Sequence, residues 1–321
     1  MKATLITMIL LILAFTVASQ GPLQVGFYKG KCGSIDIESI IGGIVHSRFV
    51  KDPTVVAALL RMQFHDCFVN GCDASLLLDG ESSEKTAPPN LSVRGYDIID
   101  EVKTVLEKAC PRIVSCADII IAATRDAIAF AGGSRYKVQM GRRDGKVSLA
   151  SNVDLPNPTI PVDQSITAFQ KKGLSVTDMV LLLGGHTVGI AHCSLFSDRL
   201  YNFNGTGSPD PAMDSGLVSA LKLRCPQKSK VDNTVNLDQN SQSSNTVDNS
   251  FYKQILMNRG ILKIDQSIAL DNKTRDIVSS IANAFNFTSQ FSNAMIKMGA
   301  IQVLTGANGE IRKSCKAVNT S

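Results

Sequence analysis

The sequence lacks an apolar run long enough to cross a bilayer. Its longest apolar run, Leu5 to Val17, is shorter than the about 20 residues that a membrane-spanning helix needs. Lys2 precedes this run and small residues follow it, which is the pattern of a secretory signal peptide cleaved near Ser19–Gln20. We therefore expect residues 1–19 to be removed and residues 20–321 to form a secreted, soluble protein with no membrane contact.

The sequence also lacks a clustered basic patch, an internal repeat and any low-complexity tract. The formal net charge of +5 is spread along the chain, whereas a nucleic-acid-binding protein concentrates its basic residues on one face. We therefore expect no nucleic-acid partner. The mild positive charge is compatible with weak adhesion to acidic polysaccharide, such as that of a cell wall.

Cysteine, by contrast, is abundant, and all eight cysteines follow the predicted signal peptide. An even number in a secreted chain predicts four disulfides formed in an oxidising compartment, but it leaves their pairing open. Glycosylation sequons agree with secretion and occur at Asn204, Asn272, Asn286 and Asn319, with a further match at Asn90.

Apolar residues recur at helical spacing through most of the chain, and strand patterns are few and short. The predicted helices are Ile35–Val50, Thr54–Phe68, Tyr96–Ala109, Cys116–Ala131, a helix that runs from a capping box at Ser175–Asp178 to Gly184, Asp248–Arg259 and Thr274–Ala300. The predicted strands are Tyr136–Met140 and Gly260–Lys263. The pattern indicates a mainly α protein, in one compact unit with two helical halves and a site between them.

Only four histidines are present, so there are few candidates for proton transfer or metal binding. His46 lies on the exposed side of its predicted helix. Arg61 and His65 are four residues apart and therefore share one helix face. A cation beside a neutral imidazole suits a reaction that builds negative charge on oxygen while moving one proton. The spacing alone fits a surface arginine beside a buried, hydrogen-bonded histidine equally well.

Two further motifs carry metal-ligand chemistry. The segment Asp66–Ser75 offers two carboxylates, a hydroxyl and a glycine turn between close cysteines, which suits Ca²⁺ although it is not an EF-hand; an ordinary capped turn is the alternative. His186 stands in a glycine-flanked turn where the backbone can approach a flat group closely. It could bind iron if a carboxylate supported its other nitrogen, and Asp265 is the candidate.

Together these motifs resemble the class III secretory peroxidases of plants. The resemblance rests on the regions around Arg61–Ser75 and Leu183–Gly189, and it continues through Glu84–Asn90, Arg94–Tyr96, Val114–Asp118, Gly141–Asp144, Leu155–Pro158, Val247–Asn249, Met298–Gly299 and Gly309–Arg312. It implies the plant haem-peroxidase fold, with two helical halves, about 20–160 and 161–321, that sandwich one haem b and contain a few short strands.

The resemblance also implies residue roles around the haem. His186 would be the proximal iron ligand and Asp265 its hydrogen-bond partner. His65 would take a proton from H₂O₂ and return it to the outer oxygen, while Arg61 would stabilise the negative charge of O–O cleavage. Two further residues complete the set: Asn90, whose inward amide would accept from His65 and escape glycosylation, and Phe64, which would limit access to the iron.

Two calcium ions are implied in addition. The distal ion would be bound by Asp66, Val69, Gly71, Asp73 and Ser75, with Glu84 beside them. The proximal ion would be bound by Thr187, Asp238, Ser241, Thr246 and Asp248. Asp238 and Asp248 are two residues further apart than in the usual pattern, so Ser243 and Ser244 remain alternatives to Ser241.

The resemblance further implies a pairing for the cysteines: Cys32–Cys110, Cys67–Cys72, Cys116–Cys315 and Cys193–Cys225. Pro156 would line the site for small phenols, and His192 would at most contact a haem propionate. Because the chain ends soon after Cys315, we expect no vacuolar extension and a location in the extracellular space or cell wall.

The expected function is therefore that of a monomeric peroxidase, which reduces H₂O₂ to water and oxidises phenolic donors by one-electron steps. Roles in oxidative stress, peroxide catabolism and wall phenolic or lignin metabolism are implied. A haem-holding wall protein without catalysis is the alternative, but the presence of Arg61, His65 and His186 argues against it. A zinc hydrolase has no support, because no HExxH motif or comparable ligand cluster is present.

Overall fold

The helices of the N-terminal half form close to where the apolar spacing predicts them. The structure is a computed structural model that describes residues 23–320, so the predicted signal peptide lies outside the described residues. The first four helices are α1 (Ile37–Lys51), α2 (Val55–Cys67), α3 (Tyr96–Ala109) and α4 (Cys116–Phe130). Side-chain caps fix two of their starts: Asp36 accepts from two backbone N–H groups of α1, and Ser115 accepts from the Asp118 N–H of α4.

Shorter helices make up the C-terminal half. They are α5 (Val162–Lys171), α6 (Val176–Leu183), α7 (Ser197–Tyr201), α8 (Ser215–Arg224), α9 (Ser250–Leu256), α10 (Lys263–Leu270), α11 (Arg275–Ala282) and α12 (Phe287–Met298). The predicted capping box at the start of α6 is confirmed, because the Ser175 hydroxyl and the Asp178 carboxylate each accept from the other's backbone N–H.

Two predictions for this half are wrong. The continuous helix Thr274–Ala300 is interrupted between α11 and α12, where the Asn249 side-chain amide donates to the carbonyls of Ile281, Ala282 and Ala284 and so ends α11. The segment Gly260–Lys263 is not a strand. Its carbonyls accept hydrogen bonds from the Arg199 guanidinium instead of a partner strand, and the chain enters α10.

The strands are as few and short as predicted. Strand β1 (Gln24–Val25) pairs antiparallel with β2 (Gln139–Met140), with Gln24 opposite Met140. Strand β3 (Ile190–His192) pairs antiparallel with β4 (Thr234–Asn236), although α7 and α8 lie between them in the chain. The fold is thus mainly helical, and β3 begins three residues after the turn that carries His186.

Two groups of helices form the core. Helices α1 to α4 pack on one another, and α5, α6 and α9 to α12 form the second group. The segment after α12 returns to the first group, where Arg143 pairs with Leu304 and Asp144 with Glu310. The division of the chain at residue 160 remains a prediction. No helix among residues 23–320 has the length and apolarity to span a membrane.

All four disulfides form with the pairing that the resemblance implies. Cys67–Cys72 closes the loop after α2, and Cys193–Cys225 joins the segment after β3 to the end of α8. Cys32–Cys110 and Cys116–Cys315 tie the two chain ends to α3 and α4. Closing loops of 78 and 199 residues restricts the unfolded chain, so these two bonds contribute most to stability in the chain-entropy account.

Candidate active site

Helix α2 places Arg61 and His65 on one face, as their spacing predicts. The Arg61 Nε donates to His65 Nε2 over 3.2 Å, and His65 is only 6% exposed. The other end of the guanidinium is held by the loop that follows: its Nη1 donates to the carbonyl and hydroxyl of Ser92, and its Nη2 to the carbonyl of Pro89. Sequence reasoning missed Ser92, which was visible only as the last residue of the Asn90 sequon.

Asn90 sets the proton position on His65. Its Nδ2 donates to the Glu84 carbonyl over 2.7 Å, and because that carbonyl can only accept, the orientation of the amide is fixed. Its Oδ1 therefore faces the ring and lies 2.6 Å from His65 Nδ1. Nδ1 must carry the proton, which leaves Nε2 unprotonated and able to accept. The donation from Arg61 to Nε2 requires the same tautomer.

Burial and, to a smaller extent, the charge of Arg61 together lower the pKa of His65 to about 4, against the opposing effect of the Asn90 hydrogen bond. The imidazole is therefore neutral at neutral pH and can accept a proton. Burial also lowers the pKa of the Arg61 guanidinium, which an arginine can tolerate without losing its charge. Arg61 is therefore a fixed cation next to a neutral base. The i, i+4 spacing alone fitted a surface arginine beside a buried histidine equally well.

His186 lies in a tight turn, Gly184–Thr187, at the end of α6. Its Nδ1 bonds to Asp265 Oδ1 over 2.8 Å, and Asp265 is fully buried in the first turn of α10. Burial lowers the pKa of His186, but the charge and hydrogen bond of Asp265 outweigh it, so that the pKa is raised overall. The two glycines before His186 differ in their surroundings. A Cβ at Gly184 would overlap the Tyr252 side chain, whereas a Cβ at Gly185 would meet no neighbouring atom.

The two histidines belong to one site. The charge of Arg61 lowers the pKa of His186, so the guanidinium lies within electrostatic reach of that ring. The turn after His186 also approaches α2, since a Cβ at Gly189 would lie 3.0 Å from that of Ala57. The His65 and Phe64 rings are 5.7 Å apart. Among the described residues only Nδ1 of His186 is hydrogen-bonded, so its Nε2 is free to bind iron, with a carboxylate behind it.

The residues predicted to bind the distal calcium ion lie together at the end of α2 and in the loops that follow it. Asp66, Asp73, Ser75 and Glu84 are all buried, and the Ser75 hydroxyl and Glu84 Oε2 have no hydrogen-bond partner among the described residues. Burial raises the pKa of Asp66, as do the charges of Asp73 and Glu84, and burial raises that of Glu84 to about 7. Buried carboxylates that repel one another fit a bound cation.

At the other end of this loop, the Val69 carbonyl accepts from Lys172 Nζ over 3.0 Å. Gly71 has φ +100° and packs against the backbone of Gln302, where a Cβ would lie 2.5 Å from the carbonyl oxygen. Within residues 23–320 no group of three His, Cys, Asp or Glu side chains is arranged to share a metal by side chains alone. The donor set at this loop depends equally on hydroxyl and carbonyl oxygens.

The residues predicted to bind the proximal calcium ion also converge, with one exception. The Thr187 hydroxyl lies 3.1 Å from Asp248 Oδ1 and 3.2 Å from the Thr246 carbonyl. The Ser243 hydroxyl donates to Asp238 Oδ2 over 3.0 Å and is buried, whereas Ser241 is exposed. The structure therefore brings Ser243 to this group and not Ser241.

The remaining candidates form no hydrogen bond with the described site residues. Pro156 is half-buried, and no hydrogen bond from the described residues reaches its carbonyl. His46 is exposed and stacks on Phe130. The exposed ring of His192 faces Asp232, with 3.5 Å between Nδ1 and Oδ2.

A mainly helical fold that combines an Arg–His pair on one helix with a histidine bonded to a buried carboxylate is typical of the haem peroxidases. Comparison with known proteins agrees. A family model described as Peroxidase matches residues 41–284. The chain is 50% identical to Peroxidase 60 of Arabidopsis thaliana over 96% of this chain and 93% of that protein. Peroxidase 57 of the same plant is 53% identical over 92% and 93%, and Peroxidase 5 of Vitis vinifera 44% identical over 98% and 97%. The chain belongs to the class III haem peroxidases of plants, and it is an enzyme with peroxidase activity.

Proposed function

We propose that this peroxidase acts outside the cell and uses phenolic compounds as donors, with His65 as its proton-transfer group. The observation that carries the proposal is the hydrogen-bond chain from the Glu84 carbonyl through Asn90 to His65 and Arg61. Every member of this chain has its donors and acceptors fixed by a neighbour. The imidazole is neutral and oriented, so it can accept a proton once peroxide replaces Arg61 as the hydrogen-bond donor to Nε2.

Haem b, when bound, supplies the redox-active iron at which peroxide is reduced and from which donors are oxidised. His65 Nε2 accepts one proton of H₂O₂ and returns it to the outer oxygen, which leaves as water. Arg61 holds a positive charge 3.2 Å from the same nitrogen and stabilises the negative charge that develops as the O–O bond breaks. His186 would bind the haem iron through Nε2. Asp265, hydrogen-bonded to Nδ1, would increase the donor strength of the ring.

Phenolic donors are supported by the resemblance at Pro156 and by the family membership, and the signal peptide and disulfides support secretion to the apoplast. In that place the protein would act in peroxide catabolism, oxidative stress and wall phenolic or lignin metabolism, as a monomer. Its net charge of +5 would allow weak adhesion to acidic wall polysaccharide. Asn204, Asn272 and Asn286 are exposed and available for glycosylation, whereas Asn90 is buried and both its Oδ1 and its Nδ2 are hydrogen-bonded.

A direct test is turnover of a phenol by the purified protein. We expect a Soret band from bound haem and phenol oxidation that depends strictly on added H₂O₂. A folded protein that shows the band but oxidises no donor would instead indicate the haem-holding wall protein. A folded protein without the band after haem supplementation would contradict the enzyme assignment itself.

We propose that two calcium ions complete the site, one at each of the two donor groups. Asp66 directly follows His65, and the Glu84 that faces the distal group also offers the carbonyl that orients Asn90. Chelation should therefore slow the reaction with H₂O₂ as well as lower stability. Losing a cation present at about 1,000 times its Kd costs about 4 kcal/mol of unfolding free energy.

The measurement is stopped-flow reaction with H₂O₂ and thermal unfolding, before and after exhaustive chelation and again after Ca²⁺ is restored. Mg²⁺ serves as the control cation, because its smaller radius and stricter geometry suit this mixed donor set poorly. Unchanged rate and melting temperature after chelation would contradict the calcium proposal.

We further propose Ser243 as the serine ligand of the proximal ion. Ser243→Ala should lower the bound calcium from two to one per chain, or weaken the second ion, and reduce the melting temperature in Ca²⁺. Ser241→Ala is the matched control, because Ser241 has the same side chain two residues earlier but is exposed. Calcium content by elemental analysis decides; loss in Ser241→Ala with none in Ser243→Ala would reverse the assignment.

A further inference from the structure

The position of Asp265 depends on the backbone that carries it. Its Oδ1 bonds to His186, while its buried Oδ2 has no hydrogen-bond partner among the described residues. Nothing else therefore orients the carboxylate directly. The distance between Asp265 and His186 is set by where the first turn of α10 begins.

That start is held by Arg199, on α7. Its Nη1 donates to three successive carbonyls, those of Gly260, Ile261 and Leu262, over 2.6, 2.8 and 3.2 Å. Leu262 is the N-cap residue of α10, so the last of these contacts lies three residues before Asp265. The Arg199 side chain is fully buried. Its Nε donates to Asp210 Oδ2 over 2.9 Å, and this ion pair fixes the orientation of the guanidinium.

A second contact holds the same segment from within α10. Gln266 Oε1 accepts from the Gly260 N–H over 3.1 Å, and its Nε2 donates to the Ile255 carbonyl over 3.0 Å. The loop between α9 and α10 is thereby closed on itself. Arg199 attaches this closed loop to α7. The first turn of α10 is attached as well by the Ile264 N–H, which donates to the Pro158 carbonyl over 3.0 Å, but Arg199 is the side chain that binds the three carbonyls leading into α10.

We propose that Arg199 is a positioning residue for the proximal histidine: it fixes the start of α10 so that Asp265 stays bonded to His186. The inference rests on the proposed roles of His186 and Asp265. A lysine could keep the ion pair with Asp210, but its point-like ammonium cannot bind a carboxylate and three carbonyls in the planar geometry of a guanidinium. The Asp265–His186 bond should then lengthen, and the ring should become a weaker donor to iron.

The decisive readout is the ferric/ferrous midpoint potential of the bound haem. Arg199→Lys should favour the ferrous state at least tenfold, which is a positive shift of about 59 mV for a one-electron couple. Asp265→Asn should shift the potential in the same direction. Arg142→Lys is the matched control, because Arg142 is equally buried and binds Asp118 and the Gly299 carbonyl but contacts neither Arg199 nor the segment 260–266.

The double variant Arg199→Lys with Asp265→Asn separates positioning from general destabilisation. If Arg199 acts through Asp265, the second substitution adds little to the first, whereas independent effects add. In the haem-free protein, hydrogen exchange at the first turn of α10 should accelerate in Arg199→Lys but not in Arg142→Lys. If Arg199→Lys does not fold, Asp210→Asn, which releases only the Nε anchor, should give a smaller shift of the same sign.

An unchanged potential in folded Arg199→Lys, an additive double variant, or an equal shift in Arg142→Lys would overturn the inference. A potential that Asp265→Asn leaves unchanged would instead refute the proposed role of Asp265, and the inference with it. The wild-type protein is the reference for both, since its failure to bind haem would overturn the proposed function and not the role of Arg199 alone.

Discussion

Replacing His65 with alanine should slow the reaction with H₂O₂ by about 10²–10⁴-fold, the contribution typical of a positioned general acid–base group. Among the described residues, His65 places a neutral imidazole nitrogen beside the Arg61 guanidinium. Without it the proposed acceptor of the peroxide proton is missing, and the charge that Arg61 is placed to stabilise forms more slowly. Haem binding should persist, because His186 and Asp265 are untouched. Stopped-flow kinetics under pseudo-first-order conditions measure the effect.

The matched control is His46→Ala, which removes an exposed imidazole that stacks on Phe130 and contacts no site residue. It should leave the rate within error of wild type. Asn90→Val provides an intermediate case, because it keeps the imidazole but removes the group that fixes its tautomer. A His65→Ala variant with an unchanged rate would show that another base receives the proton.

The sequence predicted the Arg61–His65 pair from helical spacing, because an i, i+4 relation is a local property. It could not predict the state of the imidazole. That state depends on Asn90 and, behind it, on a backbone carbonyl of Glu84, whose direction follows from the turn at 84–90. Resemblance supplied the identity of Asn90, and only the structure shows why its amide cannot turn over.

Longer-range features were harder to predict for a related physical reason. The wrong strand at Gly260–Lys263 looked extended and apolar, but its carbonyls are satisfied by Arg199, about sixty residues earlier in the chain. A buried arginine in place of a partner strand leaves no periodic signal in the sequence. The serine near Asp238 is a similar case. Asp238 and Asp248 are two residues further apart than in the usual family pattern, and the motif position favoured Ser241. The fold instead buries Ser243 against Asp238.

Replacing His186 with alanine should remove the protein ligand of the haem iron. Loss of an outer-shell partner of a metal ligand costs about 10–100-fold in affinity or activity, and loss of the ligand itself should cost more. The Soret band should weaken during gel filtration, and peroxidase activity should fall with it. The cavity left by the ring borders the buried Asp265 carboxylate, which can accept the N–H of an added imidazole. Millimolar imidazole should therefore restore part of both signals.

His192→Ala is the matched control for His186→Ala. The two histidines are six residues apart after α6 and both face an aspartate, but the Nδ1–Oδ2 distance at His192 is 3.5 Å and its side chain is 46% exposed. Such a pair cannot hold an imidazole in one orientation, since water competes for both partners. His192→Ala should therefore keep its haem. If His192→Ala lost haem and His186→Ala kept it, the burial and geometry that distinguish the two would have been misjudged, and the proximal side of the site would have to be reassigned.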